Sequence, residues 1–138
     1  MDIIMLGKGI FSDLSNGIFS TRLLIVLWMC GLVVAGSILF FFGKDAGRSS
    51  NWGHVQGWQN EIAIWNLTMI LVLGGILLSD KGNEAYVLPG LVVMAVGFSI
   101  NHIVSMVKSK SMPRTHLSAT IANITGIILT IIYYFIGK

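Results

Sequence analysis

The residues of this chain that could do chemistry are few, and they lie within segments that are otherwise apolar. Glu61 supplies a carboxylate, and His102 supplies an imidazole, the side chain that changes charge near neutral pH. Asn66, Asn101 and Asn123 supply amides that both donate and accept hydrogen bonds. Because a carboxylate and an imidazole in one site can hold or pass a proton, we expect Glu61 and His102 to pair, with these amides around them.

The apolar segments that carry these residues are long enough to cross a bilayer. Of the 138 residues, 54% are hydrophobic and 11% are charged, and a soluble domain has about twice that charged share. A membrane-spanning helix needs about 20 residues, so four spans and short loops take up nearly the whole chain. We therefore predict an all-α bundle of four transmembrane helices, at residues 22–42, 58–78, 85–107 and 115–136.

The first 20 residues differ from the four apolar blocks because Lys8, Asp13 and Asn16 lie between their apolar residues. The apolar ones recur near helical spacing: Ile3, Ile4, Ile10, Phe11, Leu14 and Ile18. This pattern predicts a short amphipathic helix lying on the membrane surface, with an unstructured tail as the alternative. We divide the chain into an interfacial amphipathic segment, residues 1–20, and a four-helix transmembrane domain, residues 21–138.

The order of the spans places the polar residues in one half of the bilayer. The second span begins on the side where the third ends and the fourth begins. At about 1.5 Å per residue, Glu61 lies a few ångströms deep, and His102, Asn101 and Asn123 lie roughly 8–12 Å deep. Because polar groups in hydrocarbon are costly unless paired, we expect them to line a shared, half-buried cavity with Asn66.

A simpler interpretation exists for each polar residue. Glu61 can be a solvated carboxylate at a helix start, and the histidine and asparagines can be hydrogen-bonded contacts between helices. We expect His54 and His116 to be solvated residues of loops or interfaces. One intramembrane histidine and one glutamate are too few ligands for zinc or iron, so we predict no metal site and leave any cofactor unknown.

Small and aromatic residues predict the packing and the depth of the helices. Glycines let helices approach closely, and the candidates are Gly31, Gly36, Gly74, Gly75, Gly90 and Gly97. Aromatic rings with a polar atom favour the headgroup level, and the candidates are Trp52, Trp58, Tyr133 and Tyr134. Basic residues in the loop after the third span favour placing that side in the cytoplasm, with both termini outside.

The second span contains Gln59-Asn60-Glu61-Ile62-Ala63-Ile64-Trp65-Asn66-Leu67, followed by Gly74-Gly75, and the third span contains Asn101-His102-Ile103. With these segments the chain resembles a family of small four-helix bacterial membrane proteins of unknown function. In that family a small residue precedes the histidine, and a polar residue, often Asp, lies where this chain has Asn123. The resemblance implies the same fold and site, and a location in the bacterial inner membrane, but no activity.

Three hypotheses for function follow. The first is a membrane protein that handles a small ligand, proton or ion at the polar site. The second is a non-catalytic subunit, or an accessory or immunity partner, of a larger membrane complex. The third is an intramembrane enzyme with Glu61 and His102 as acid and base. The expected partners are the lipid bilayer and either a second copy or another membrane protein. Nucleic acid is excluded because no basic stripe is interleaved with aromatic residues.

Overall fold

The computed structural model describes residues 3–15, 19–79 and 84–136, and nearly all of them are helical. A single 3₁₀ turn, Glu84–Val87, leads into the fourth helix, and no strand occurs in these ranges. The five helices are α1 (Ile3–Ser15), α2 (Thr21–Arg48), α3 (Gln56–Leu78), α4 (Leu88–Ser109) and α5 (Arg114–Ile136).

Four of the helices are long and apolar enough to cross a membrane, as predicted. The candidate spans are Thr21–Arg48, Gly57–Leu78, Ala85–Ser109 and Arg114–Ile136. Large apolar side chains on all four face outward, among them Leu71, Val93 and Ile128. An apolar outer surface is what the interior of a bilayer solvates, so the fold fits a small polytopic membrane protein.

The first span extends beyond its predicted end at residue 42. Phe42 has non-helical angles (φ −121°, ψ 20°), and helical structure resumes after this kink and continues to Arg48. The extension is held by packing, since Gly43 and Gly47 are both buried and lie against Gln59 of α3. Polar and glycine-rich sequence predicts a loop there, but the close contact with α3 stabilises a further turn of helix.

The helices form two hairpins that meet through α2 and α5. In the first hairpin α2 packs along α3, and in the second α4 packs along α5. The buried side chains of α3 toward α2 are Gln59, Ala63 and Asn66, which recur at helical spacing. Opposite them on α2 lie Gly36 and the two glycines that follow Phe42, so the close approach of the first hairpin depends on missing side chains.

The apolar core lies at one end of the bundle. It combines the first half of α2 with the end of α3 and the beginning of α4, and its members are Leu24, Ile25, Trp28, Leu32, Leu73, Leu77, Leu88, Leu91 and Ala95. At the opposite end the contacts between elements involve polar side chains and glycines. The bundle therefore has an apolar end and a polar end, and the candidate chemistry is confined to the latter.

The two hairpins are joined by a tryptophan of α2. The Trp28 indole N–H donates to Thr130 Oγ1 at 3.2 Å, and that hydroxyl donates to the Gly126 carbonyl at 2.9 Å. The ring lies directly on Gly126, where a Cβ would be 2.6 Å from the nearest ring carbon. Glycine at position 126 therefore allows the Trp28 ring to pack this closely on α5.

The predicted packing glycines divide into two groups. Gly36 lies against Asn66, and Gly74 makes an ordinary contact with Met29. The other four have open space where a Cβ would be, at least among the described residues: Gly31, Gly75, Gly90 and Gly97. They do not hold the helices of this chain together, and their role toward a partner stays a prediction.

The predicted amphipathic N-terminal helix is present as α1, although Ile18 lies outside the described residues. It contacts α2 and α3, and its Ile3 and Leu6 line an apolar groove with side chains of those helices, including Met29 and Leu77. The helix is therefore confirmed, whereas its position on a membrane surface stays a prediction.

Replacing Gly126 by alanine should destabilise the bundle by about 1–3 kcal/mol, because the new methyl group overlaps the Trp28 ring. The measurement is thermal unfolding of the purified protein in a mild detergent. The matched control is Gly31→Ala, which introduces the same methyl group into open space. Equal loss of stability in both variants would contradict the packing of Trp28 on Gly126.

Candidate functional site

The loop that joins α2 to α3, residues 49–55, is fastened to the second hairpin at the polar end. The Thr115 hydroxyl donates to the Ser49 carbonyl at 2.8 Å. The side-chain amide of Asn51 donates to Ser109 Oγ at 2.6 Å, and its backbone N–H donates to His116 Nε2 at 3.1 Å. A loop of the first hairpin thus contacts the end of α4 and the beginning of α5.

Two histidines of the second hairpin form a direct hydrogen bond. His102 lies on α4 and His116 on the first turn of α5, and their Nδ1 atoms are 2.7 Å apart. His116 is only 1% exposed, and its carbonyl accepts a hydrogen bond from the Thr120 hydroxyl. We call His102 and His116 the histidine pair.

The hydrogen bonds of the histidine pair determine its tautomers. A backbone N–H can only donate, so His116 Nε2, which accepts from Asn51, carries no hydrogen. Neutral His116 then has its hydrogen on Nδ1 and donates it to His102 Nδ1. His102 accepts at that atom, so its own hydrogen is on Nε2. A continuous chain of donors and acceptors therefore runs from the loop backbone through both rings.

Trp52 covers the histidine pair from the loop side. Its ring stacks on His102 with centroids 4.9 Å apart and an interplanar angle of 27°. It meets His116 edge to face at 4.3 Å and 74°, and Trp58 meets Trp52 edge to face at 5.7 Å. The loop residue next to Asn51 thereby limits the access of water to both imidazoles.

The predicted pairing of Glu61 with His102 is wrong, since His102 pairs with His116. Glu61 is exposed on the first turns of α3 and forms no hydrogen bond or ion pair with a described residue. The hairpin order explains the difference, because α3 packs on α2 whereas α4 packs on α5. The expectation that His116 is solvated is also wrong, because the loop and α4 bury it.

The three predicted asparagines occupy different places and do not form one cavity. Asn66 is buried between α3 and Gly36 of α2. Asn123 is half-buried on α5, and no hydrogen bond to its side chain occurs within the described ranges. Asn101 is exposed and lines a depression of about 420 Å³ beside the histidine pair. We call this depression the polar notch, and its lining is Asn51, Trp52, Asn101, Val104, Ser105, Lys108 and Ser109.

The predicted aromatic anchors lie at both ends of the bundle. Trp52 and Trp58 are at the polar end, where they are 36% and 42% exposed. At the other end Tyr133 hydrogen-bonds the Thr21 hydroxyl and is half-buried, while Tyr134 is exposed. These positions suit the headgroup level, but Trp52 and Tyr133 also have contacts within the protein.

The histidine pair offers two nitrogen atoms to a metal ion, and its geometry is that of a hydrogen bond. Within residues 3–15, 19–79 and 84–136, no three side chains of the metal-binding types come together. The two Nδ1 atoms also face each other at 2.7 Å, the separation of an N–H···N hydrogen bond. The two rings are therefore arranged as a hydrogen-bonded pair.

Comparison of the chain with models of known families, with curated protein sequences and with solved structures found no match. Membership of the family that the second and third spans resemble therefore stays a prediction. The chemistry of the site has to be argued from its own geometry.

Two substitutions of His116 separate its bond to the loop from its bond to α4. In His116→Gln the side-chain amide reaches the position of Nε2 and can still accept from the Asn51 N–H. In His116→Asn it reaches only the position of Nδ1, toward His102. We expect the Asn51 amide to exchange with deuterium about fivefold faster in the Asn variant, the effect of losing one hydrogen bond of about 1 kcal/mol.

In the Gln variant we expect the exchange rate of the Asn51 amide to stay near that of the original protein. Site-resolved hydrogen exchange by NMR in detergent makes the measurement. Equal rates in the Asn variant, the Gln variant and the original protein would show that His116 does not hold the loop.

Proposed function

We propose that this protein responds to protons at one face of the membrane. In this proposal the histidine pair takes up a proton, and the loop of residues 49–55 is released from the second hairpin. The observation that carries it is the hydrogen-bonded chain from the Asn51 N–H through His116 to His102.

The proposal follows from counting hydrogens on the four ring nitrogens. The neutral pair has two hydrogens, on His116 Nδ1 and His102 Nε2, and both other nitrogens accept hydrogen bonds. A third hydrogen on His102 Nδ1 sets two N–H groups against each other. A third hydrogen on His116 Nε2 opposes the Asn51 N–H instead. In the last arrangement His102 carries both of its ring hydrogens and donates from Nδ1 to His116 Nδ1. Neutral His116 then has its hydrogen on Nε2, where it again opposes the Asn51 N–H.

Proton uptake therefore costs one of the two hydrogen bonds in every arrangement. Loss of the bond to Asn51 weakens the attachment of the loop, and loss of the bond between the rings separates α4 from α5 at this level. The weakened contacts also position Trp52, which stacks on His102. The pair thus couples a proton to the conformation of the polar end.

Charged side chains around the pair are mainly basic, and none forms an ion pair with it. The charged or titratable residues of the elements that meet there are Lys44, Asp45, Arg48, His54, Glu61, Lys108, Lys110 and Arg114. In the described part of the chain neither imidazole is within ion-pair distance of a carboxylate. No carboxylate compensates a positive charge on the pair, and the stacked Trp52 ring supplies only a cation–π contact. In this proposal the lost hydrogen bond outweighs that contact, so a proton favours the opened arrangement.

The hypothesis of an acid–base enzyme is weakened by the same geometry. It depended on Glu61 beside His102, and those residues lie on helices of different hairpins. A proton-responsive element needs only the two histidines and the loop, all of which are in contact.

The test compares the protection of the loop at two pH values. Hydrogen exchange of residues 49–55, corrected for the intrinsic pH dependence of amide exchange, is measured near pH 8 and near pH 4. This range extends below the usual titration range of histidine, because the loop and the helices cover both imidazoles. We expect protection of the Asn51 amide at the higher pH and its loss at the lower one. In His116→Gln, where the acceptor does not titrate, we expect protection at both.

His54→Gln is the matched control, because it removes a titratable histidine of the same loop and leaves the histidine pair intact. This variant should keep the pH dependence of the original protein. If His54→Gln abolishes the pH dependence and His116→Gln does not, the histidine pair is not the proton acceptor. Equal protection of the original protein at both pH values would also overturn the proposal.

A further inference from the structure

We infer that the polar notch binds a phosphate group, and that at the membrane this phosphate belongs to the headgroup of an anionic phospholipid. This site is distinct from the histidine pair, and the inference does not require the pair to titrate. It is based on the chemistry of the lining side chains and on the charge of this end of the bundle.

The notch combines hydrogen-bond donors with one positive charge. Asn101, Ser105 and Lys108 are spaced four and three residues apart, so they lie on one face of α4 and offer an amide, a hydroxyl and an ammonium. No hydrogen bond or ion pair to these three side chains occurs in the described part of the structure. Phosphate oxygens accept hydrogen bonds from all three kinds of donor, most strongly from the charged one.

The loop provides the opposite wall of the notch. The Asn51 side chain is held there by its bond to Ser109 Oγ, and Trp52 is fixed by its stacking on His102. Aromatic rings of this kind favour the headgroup level of a bilayer. The volume of about 420 Å³ is large enough for a headgroup and is within the usual range of ligand pockets.

The polar end as a whole carries an excess of positive charge. Two acidic residues, Asp45 and Glu61, lie near this end. They are outnumbered by five basic ones: Lys44, Arg48, Lys108, Lys110 and Arg114. Basic residues next to membrane spans attract anionic lipids at the cytoplasmic leaflet, which is the leaflet predicted for this end. The excess positive charge of this end attracts anions to its surface, and the side chains of the notch supply hydrogen bonds to the bound phosphate.

The test is native mass spectrometry of the full chain in an uncharged detergent, with phosphatidylglycerol, phosphatidylcholine or inorganic phosphate added. We expect bound phosphatidylglycerol at concentrations where phosphatidylcholine does not bind. Lys108→Gln should weaken phosphatidylglycerol binding about tenfold, the effect of losing a charge-assisted hydrogen bond. The matched control is Lys110→Gln, which removes the same charge two residues away and outside the notch lining.

The outcomes separate the notch from general attraction and the lipid from the free anion. If Lys108→Gln and Lys110→Gln weaken phosphatidylglycerol binding equally, the notch is not the binding site, because only the overall charge then matters. Equal binding of the two lipids, with no binding of inorganic phosphate, would also overturn the inference. Competition by inorganic phosphate would support the phosphate site and identify the free anion as a ligand. Asn101→Ala and Ser105→Ala, which keep the charge, should each weaken binding several-fold.

Discussion

The backbone N–H of Asn51 determines the chemistry of the candidate site, because this group can only donate. Its bond to His116 Nε2 requires the hydrogen of His116 to be on Nδ1, and that in turn makes His102 Nδ1 an acceptor. A single main-chain group therefore assigns the tautomers of two side chains on two other helices. No acidic residue is needed for this, which explains how the site forms without Glu61.

The position of that loop depends on how closely α3 approaches α2. A Cβ at Gly47 would lie 2.7 Å from Gln59 Nε2, 2.8 Å from the His54 Cα and 2.9 Å from the Gly53 carbonyl oxygen. Two of these neighbours are backbone atoms of the loop, and they cannot give way as a flexible side chain can. Gln59 is 4% exposed, and its Oε1 accepts no hydrogen bond from a described residue. The polar end is thus built on tight glycine contacts, whereas the opposite end is held by an apolar core.

The sequence was sufficient to predict the four helices and the end of the bundle where the polar residues gather. Apolar blocks of about 20 residues have one stable form in a bilayer, so their number and order follow from composition. Even the first predicted span ended at residue 42, where the helix has its kink. Its continuation to Arg48 was not predictable, because it depends on contacts of Gly43 and Gly47 with another helix.

The partners within the site could not be predicted, because they depend on which helices are neighbours. Counting residues from the ends of α4 and α5 puts His102 about 10 Å deep and His116 about 3 Å deep, so they do not look like partners. The structure nevertheless brings their Nδ1 atoms within 2.7 Å of each other. Counting residues assumes straight helices whose ends lie at the same depth, and it therefore misses this contact. The contacts of Asn51 and Trp52 with the histidine pair could not be predicted either, since loop residues have no periodicity from which a contact can be inferred.

Two loop residues, Asn51 and Trp52, contact the histidine pair and also line the polar notch, and this couples the two proposals thermodynamically. Asn51 donates to His116 with its backbone and forms a wall of the notch with its side chain, and Trp52 covers His102 while lining the same wall. A proton that releases the loop therefore displaces one side of the notch. Linkage is reciprocal, so an anion that holds the loop in place must weaken proton binding by the same factor by which the proton weakens anion binding. Added positive charge on the pair would attract the anion and oppose this effect.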